Sequence, residues 1–261
     1  MSRSLQDWLE RRGRQGAARQ WSRLAAAAKG GGPCAFDTGL RDEARTLQDD
    51  LARFLHYSDA ALTCRRGALH PAQCPPGTDW FWRPALLRGE VAPRVLVAPE
   101  SGRRLGDEVA LWHDCPHRAV ILQQIRGCGA DLAPYAVRLE VMGFAGSYLS
   151  LSLDLPDDIP GGLGRDQILR MDGWFAAERP ITVYARLNLT QGPDRMPMLR
   201  KLDGPLSGGD CRRTVEFDLD YAELTARPVQ RAWLDLIFEA PLMNAVTLGE
   251  LILSRHPRAQ V

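Results

Sequence analysis

Lysine is almost missing from this chain. Only Lys29 and Lys201 occur, so 31 of the 33 basic residues are arginine. A bias of that kind marks a GC-rich coding genome, and a bacterial source is expected; it does not by itself point to phosphate chemistry. No apolar run approaches the roughly 18 residues a membrane-spanning helix needs. The stretch after Met1 is charged and Ala25–Ala28 is short, so no secretory signal is visible and the cytoplasm is the expected location. The six cysteines (34, 64, 74, 115, 128 and 211) include no CxxC pair, which leaves them as free thiols rather than a disulfide framework. A net charge of +1 gives no overall pull toward nucleic acid, which is not expected as a partner. No internal repeat is present.

What remains is an ordinary globular composition, 45% apolar and 25% charged, enough to bury a sizeable core. The charge is unevenly spread. Residues 1–30 hold seven basic residues against Asp7 and Glu10. The pattern predicts a basic helical leader over 1–32, helical from about Leu5 to Ala28, with Trp8 and Trp21 beside arginines. Such a segment suits a membrane surface or a protein partner. A second helix, about 39–56, carries Leu40, Ala44, Leu47, Leu51, Phe54 and Leu55 at three- and four-residue spacing. Asp37 or Thr38 caps its start, and its stripe is expected to pack on a sheet.

After a Pro/Gly-rich loop from Cys64 to Gly77 the period becomes two. Strands are expected at Asp79–Arg83, Arg94–Ala98, Glu108–His113 and Ala119–Arg126. Tyr135–Gly143 and Ser147–Leu155 read as a hairpin around Ala145-Gly146. Asp166–Ala176 and Pro180–Thr190 read as a pair, and Gln191–Asp210 as a long loop. Thr214–Tyr221, Arg231–Glu239 and Val246–Ser254 close the chain. Short strands at this spacing predict a mainly β fold: an antiparallel, jelly-roll-like β-sandwich over 33–261 with one packed amphipathic helix.

Four constellations could carry chemistry. His113-Asp114-Cys115-Pro116-His117 gathers metal-ligating groups, but a zinc site would need partners from distant Cys128, Cys64, Cys74 or His70, and Pro116 reads as the bend of a turn. Glu216, Asp218 and Asp220 share one face of a strand, like the acid row of jelly-roll glycosidases. Yet four residues of strand span about 13 Å, against the roughly 5 Å of a retaining carboxyl pair. A hydrolase is therefore the third reading. Asp154, Asp157 and Asp158 could hold calcium, though turn acids are common. No metal or other cofactor is expected, and Asn188-Leu189-Thr190 is a sequon to which no meaning is given, since no secretory signal is visible.

The fourth constellation is a surface. Along Pro180–Thr190 the apolar residues face inward, leaving Tyr184, Arg186 and Asn188 outward; Trp233 and Asp235 are outward on Arg231–Glu239. With Asp218 they would offer aromatic plates and planar hydrogen-bonding groups, which suit the C–H faces and hydroxyls of a sugar. The ordinary alternative is a bland outer face or a surface for the second helix.

Ser147–Leu155, Glu178–Thr190, Arg231–Glu239 and the ending Leu253–Pro257 resemble an uncharacterised bacterial family of unknown function, over nearly the whole chain after Phe36. The closing strands resemble, more loosely, the jelly rolls of galactose-binding-like carbohydrate modules, with no ligand motif to carry over. The expected function is a non-catalytic binding module for a saccharide or an envelope polysaccharide precursor. The alternative is an interaction or scaffold protein using the basic leader.

Overall fold

Alternation of period two governs the chain from Trp80 onward, and each alternating stretch forms a strand in the computed structural model. The structure describes residues 3–32, 37–48, 50–51, 75–127, 133–157, 159, 163–225 and 227–258. Phe54, Leu55, Cys34, Cys64, Cys74, Cys128, His70, Asp158 and most of the expected 64–77 loop lie outside these residues.

The chain divides into two compact units, Met1–Asp59 and Ala60–Val261. In the first, helix α1 (Arg3–Lys29) ends where Gly31 takes a left-handed φ of +73° and the N–H of Gly32 reaches back to the carbonyl of Ala27. A second helix, α2, covers residues 38–48 and 50–51, and its Leu40 N–H donates to the Asp37 carboxylate at 3.0 Å, the expected cap. Its stripe is not deeply buried: Leu40, Ala44 and Leu47 are half-buried and Leu51 is exposed. Among the described residues no helix is long and apolar enough to cross a membrane.

The second unit is mainly β, with two antiparallel sheets. The seven-stranded sheet runs β11 (Leu206–Asp218), β8 (Gln167–Ile181), β13 (Asn244–Pro257), β6 (Tyr135–Val141), β5 (Val120–Arg126), β2 (Val95–Val97). Strand β13 pairs with β6 through its first residues and with β1 (Trp80–Trp82) through its last. The six-stranded sheet runs β10 (Asp194–Lys201), β9 (Val183–Gln191), β12 (Arg231–Phe238), β7 (Leu149–Asp154), β4 (Val109–His113), β3 (Arg103–Leu105). One short helix, α3 (Ala85–Arg88), follows β1.

A single apolar core takes side chains from both sheets. Leu149, Leu151 and Leu153 of β7, Val183, Ala185, Leu187 and Leu189 of β9, and Ala232, Leu234, Leu236 and Phe238 of β12 are all buried. At about 1.5–3 kcal/mol for each large aliphatic side chain removed from water, these rows fix which face of each strand points inward. Among the described residues, those buried in this core run from Trp82 to Leu253.

Several expected pairings are different. Strands β6 and β7 do not form a hairpin, because β6 joins the seven-stranded sheet and β7 the six-stranded one. Strands β8 and β9 separate in the same way. Alternation specifies the buried face but not the neighbour, and both connections cross between sheets. The stretch expected to be a loop, Gln191–Asp210, contains β10 and the start of β11. Its Pro197 is tolerated because β10 is an edge strand bonded only to β9, where a missing N–H leaves no ladder partner unmet.

Candidate functional site

Register across the six-stranded sheet assembles the site. One row of outward residues runs from Asn188 on β9 to Trp233 on β12 and Asp154 on β7. The next runs Arg186, Asp235, Ser152, Ala110, Arg104 across β9, β12, β7, β4 and β3. A third runs Tyr184, Ile237, Ser150, Trp112. On the other side of the Asn188 row, Arg195 of β10, Thr190 and Arg231 line up. Most of these side chains, with Tyr148 from the loop before β7, line a cleft of about 380 Å³.

Charged contacts hold the floor together. Arg186 donates to Asp235 Oδ2 through Nε at 3.0 Å and Nη2 at 2.8 Å, and Asp235 is nearly fully buried. The buried Asn188 amide also donates to Asp235 Oδ2 at 2.9 Å and to the Arg186 carbonyl at 3.1 Å. Its Oδ1 in turn accepts from Arg195, at 2.6 Å from Nη2 and 3.2 Å from Nε. Asp154 accepts from Arg231 at 2.6 Å and from Arg104. Burial pushes the Asp154 carboxyl upward, but its hydrogen bonds from Arg104 and Arg231 outweigh this and hold it below the usual carboxylate value.

The aromatic groups divide into two kinds. Trp233 is covered: the guanidinium carbons of Arg195 and Arg231 lie 4.7 and 5.2 Å from its ring centroid. Trp112 and Tyr148 are open, 45% and 44% exposed. Trp112 lies against Gly102, where a Cβ would sit 3.1 Å from its Cη2 and where φ is +82°. A glycine at that turn lets the indole lie close over the backbone.

Of the six residues expected to form the ligand face, Arg186, Trp233 and Asp235 line the cleft. Asn188 lies beneath it, fully buried. Tyr184 is in the outer row but not among the lining residues. Asp218 belongs elsewhere: it ends β11 in the other sheet, accepts from Arg258 Nε at 2.9 Å and caps Asp220 N–H at 3.1 Å. Nor do Glu216, Asp218 and Asp220 form a strand row, because Leu219–Tyr221 is a 3-10 turn. Asp154, one of three acids weighed as a calcium site and set aside, has two guanidiniums on it. Sequence reading missed Arg104, Trp112, Tyr148, Arg195 and Arg231 as site residues. The alternation Ala110-Leu111-Trp112 carried the signal for Trp112; Arg195 was hidden in the supposed loop.

The His113–His117 segment serves as a turn. His113 Nε2 donates to the Pro99 carbonyl at 3.1 Å while Nδ1 accepts from Cys115 N–H at 3.2 Å, and Cys115 is buried. Asp114 accepts from the N–H groups of Ser147 and Tyr148 at 2.7 and 3.1 Å, anchoring the loop that carries Tyr148.

A model of the family of unknown function DUF6478 matches residues 1–261. This chain belongs to DUF6478. The match includes the residues before Phe36, so the resemblance to such a family extends over the full sequence. No curated protein matches the DUF6478 chain. Among solved structures, the enzymatically active domain of bacteriophage CBA120 tailspike protein 4 is similar at 10% identity and a TM-score of 0.41, over 56% of this chain and 19% of that one. The DUF6478 chain thus spans about a fifth of the tailspike domain's length. The CBM22-1 xylan-binding domain of Paenibacillus barcinonensis Xyn10C is similar at 11% identity and TM-score 0.38, over 66% and 97%. The family 11 carbohydrate-binding module of Clostridium thermocellum, in complex with a β-1,3-1,4-mixed-linked tetrasaccharide, gives 10% and 0.36, over 61% and 94%. These TM-scores lie below 0.5, and the DUF6478 architecture rests on its own strand pairing.

Proposed function

We propose that the β unit is a non-catalytic saccharide-binding module whose binding face is the cleft on the six-stranded sheet. The observation that carries this reading is the pairing of two open aromatic side chains, Trp112 and Tyr148, with Ser150, Ser152 and Arg186 in one lining. Sugar rings have flat C–H faces that stack on aromatic plates and hydroxyls that pair with planar polar groups. Trp112 replaces Trp233 as the stacking platform, since the Trp233 ring is occupied by guanidiniums.

The same geometry disfavours hydrolysis. The cleft's two carboxylates, Asp154 and Asp235, are each bound to guanidinium groups. The Asp154 carboxyl is held below the usual range, the wrong direction for a general acid near neutral pH.

A glycan panel tests the reading. The intact protein should bind at least one polysaccharide, and Trp112→Ala should weaken that binding by about 2 kcal/mol, as loss of a central aromatic contact does, with circular dichroism unchanged. Binding that survives the substitution at full strength would remove the cleft as the site. Absence of any glycan binding would shift the reading to a scaffold acting through α1, whose Trp8 is 52% exposed and stacked with Arg12.

A further inference from the structure

Charge in the cleft is unbalanced. Among the described residues lining it, Arg104, Arg186, Arg195 and Arg231 stand against two carboxylates, Asp154 and Asp235. Asp235 is taken by Arg186, and Arg104 shares Asp154 with Arg231. Among the described residues no carboxylate pairs with Arg195.

Arg195 is nevertheless held in place. Its Nε and Nη2 donate to Asn188 Oδ1, and its guanidinium lies on Trp233. Asn188 can present its oxygen only toward Arg195, because its amide nitrogen is committed to Asp235 and the Arg186 carbonyl. A fully buried amide and an aromatic ring are therefore spent on orienting one exposed guanidinium. Its Nη1 donates to nothing among the described residues. Fixing the fork in advance removes most of the ordering cost of a ligand contact, and a planar guanidinium edge matches a carboxylate.

We propose that the cleft takes an acidic saccharide, a uronate-bearing chain, with Arg195 receiving one of its carboxylates beside the Trp112 platform. This rests on the saccharide reading above and names its ligand class.

The test compares uronate oligosaccharides (galacturonate, glucuronate-containing and mannuronate/guluronate oligomers) with the same oligomers after carboxyl reduction. Dextran sulfate and polyglutamate are added as anions of other kinds, and the full chain is used as wild type and Arg195→Gln. Arg195 is an exposed residue of an edge strand, so the substitution should leave the circular dichroism spectrum unchanged. The acidic form should bind about tenfold or more tightly than the reduced form, and the preference should shrink with added salt. Arg195→Gln should weaken binding of the acidic form about tenfold more than it weakens binding of the reduced form.

Equal binding of acidic and reduced oligomers would overturn the acidic class and leave the saccharide reading standing. Binding of dextran sulfate without any uronate would overturn the carboxylate assignment alone. Polyglutamate binding as strong as uronate binding, and unchanged by Trp112→Ala, would overturn both. No binding to any probe would overturn the acidic class and leave the saccharide reading to be decided by the wider glycan panel.

Discussion

The outer faces of the two sheets are built from the same alternating pattern, yet they handle charge in opposite ways. On the seven-stranded sheet, Arg138 donates to Glu140 at 2.7 Å and Glu178 at 2.9 Å. Arg170 donates to Asp172 at 2.8 and 2.9 Å and has Glu216 at 3.6 Å. Arg83 makes a two-pronged contact with Glu250 at 2.6 and 2.8 Å, both largely buried. These three guanidiniums meet five carboxylates, and Arg212 of β11 has Asp210 at 3.8 Å. In the six-stranded sheet's cleft, four guanidiniums meet two. On the first face these cations are satisfied internally; the second keeps a positive surplus beside open aromatic rings, which is what a surface needs to attract an outside anion.

The two faces also differ in how far apart their partners lie in sequence. Arg138 and Glu140, and Arg170 and Asp172, are two residues apart on one strand face. The cleft's pairs join residues 49, 50 and 77 positions apart. A closed face can be built by local repetition; the cleft exists only once β3, β4, β7, β9, β10 and β12 are in register.

The comparison can be broken first at the closed face. Arg83→Ala would leave the buried Glu250 carboxylate without its guanidinium, and should cost about 3–5 kcal/mol of stability in urea denaturation. Glycan affinity measured below the transition should stay unchanged. A loss under about 1 kcal/mol would mean that Glu250 finds other compensation, and that the seven-stranded face does not depend on its pairing.

A smaller effect is expected in the cleft. The Asp154 carboxyl is lower in the folded state than in the unfolded chain, so its stabilising contribution is complete above the unfolded value, near 4, and disappears as pH falls through the folded one. Asp154→Asn should therefore destabilise the protein at pH 7 by up to about 1 kcal/mol, the size of a partly exposed ion pair. The gap between variant and wild type should close in urea melts as the pH is taken below about 4. A gap that stays constant over that range would show that the two guanidiniums do not act through the ionised carboxylate.

Much of the fold was readable in the sequence, and the reasons are local. Leu149, Leu151, Leu153 against Ser150, Ser152, Asp154 declares a half-buried strand without any partner being known. The same holds for Val183–Leu189 and Ala232–Phe238, and the outward set Arg186, Asn188, Trp233 and Asp235 follows from it. Strand neighbours were not readable, because β6 and β7 bury identical alternating faces whichever sheet they join. That is also why Asp218 was placed with the cleft and Trp112 was not. Strand β10 was concealed by Pro197, a residue that argues against a strand everywhere except at an edge. The covering of Trp233 by Arg195 and Arg231 required both of these missing facts, since one arginine comes from β10 and the other is held by Asp154 of the neighbouring strand β7.

The indole N–H signals test the cleft most directly, because the chain's seven tryptophans are spread over its parts. Trp112 and Trp233 line the cleft, while Trp174 lies on the seven-stranded sheet with its Nε1 on Asp210, and Trp80 and Trp82 belong to β1. Titrating the labelled protein with an oligogalacturonide in a heteronuclear NMR experiment should move the Trp112 and Trp233 signals together and leave Trp80, Trp82 and Trp174 in place. A saturable shift of Trp174 with Trp112 and Trp233 unmoved would place binding on the closed face and contradict the account.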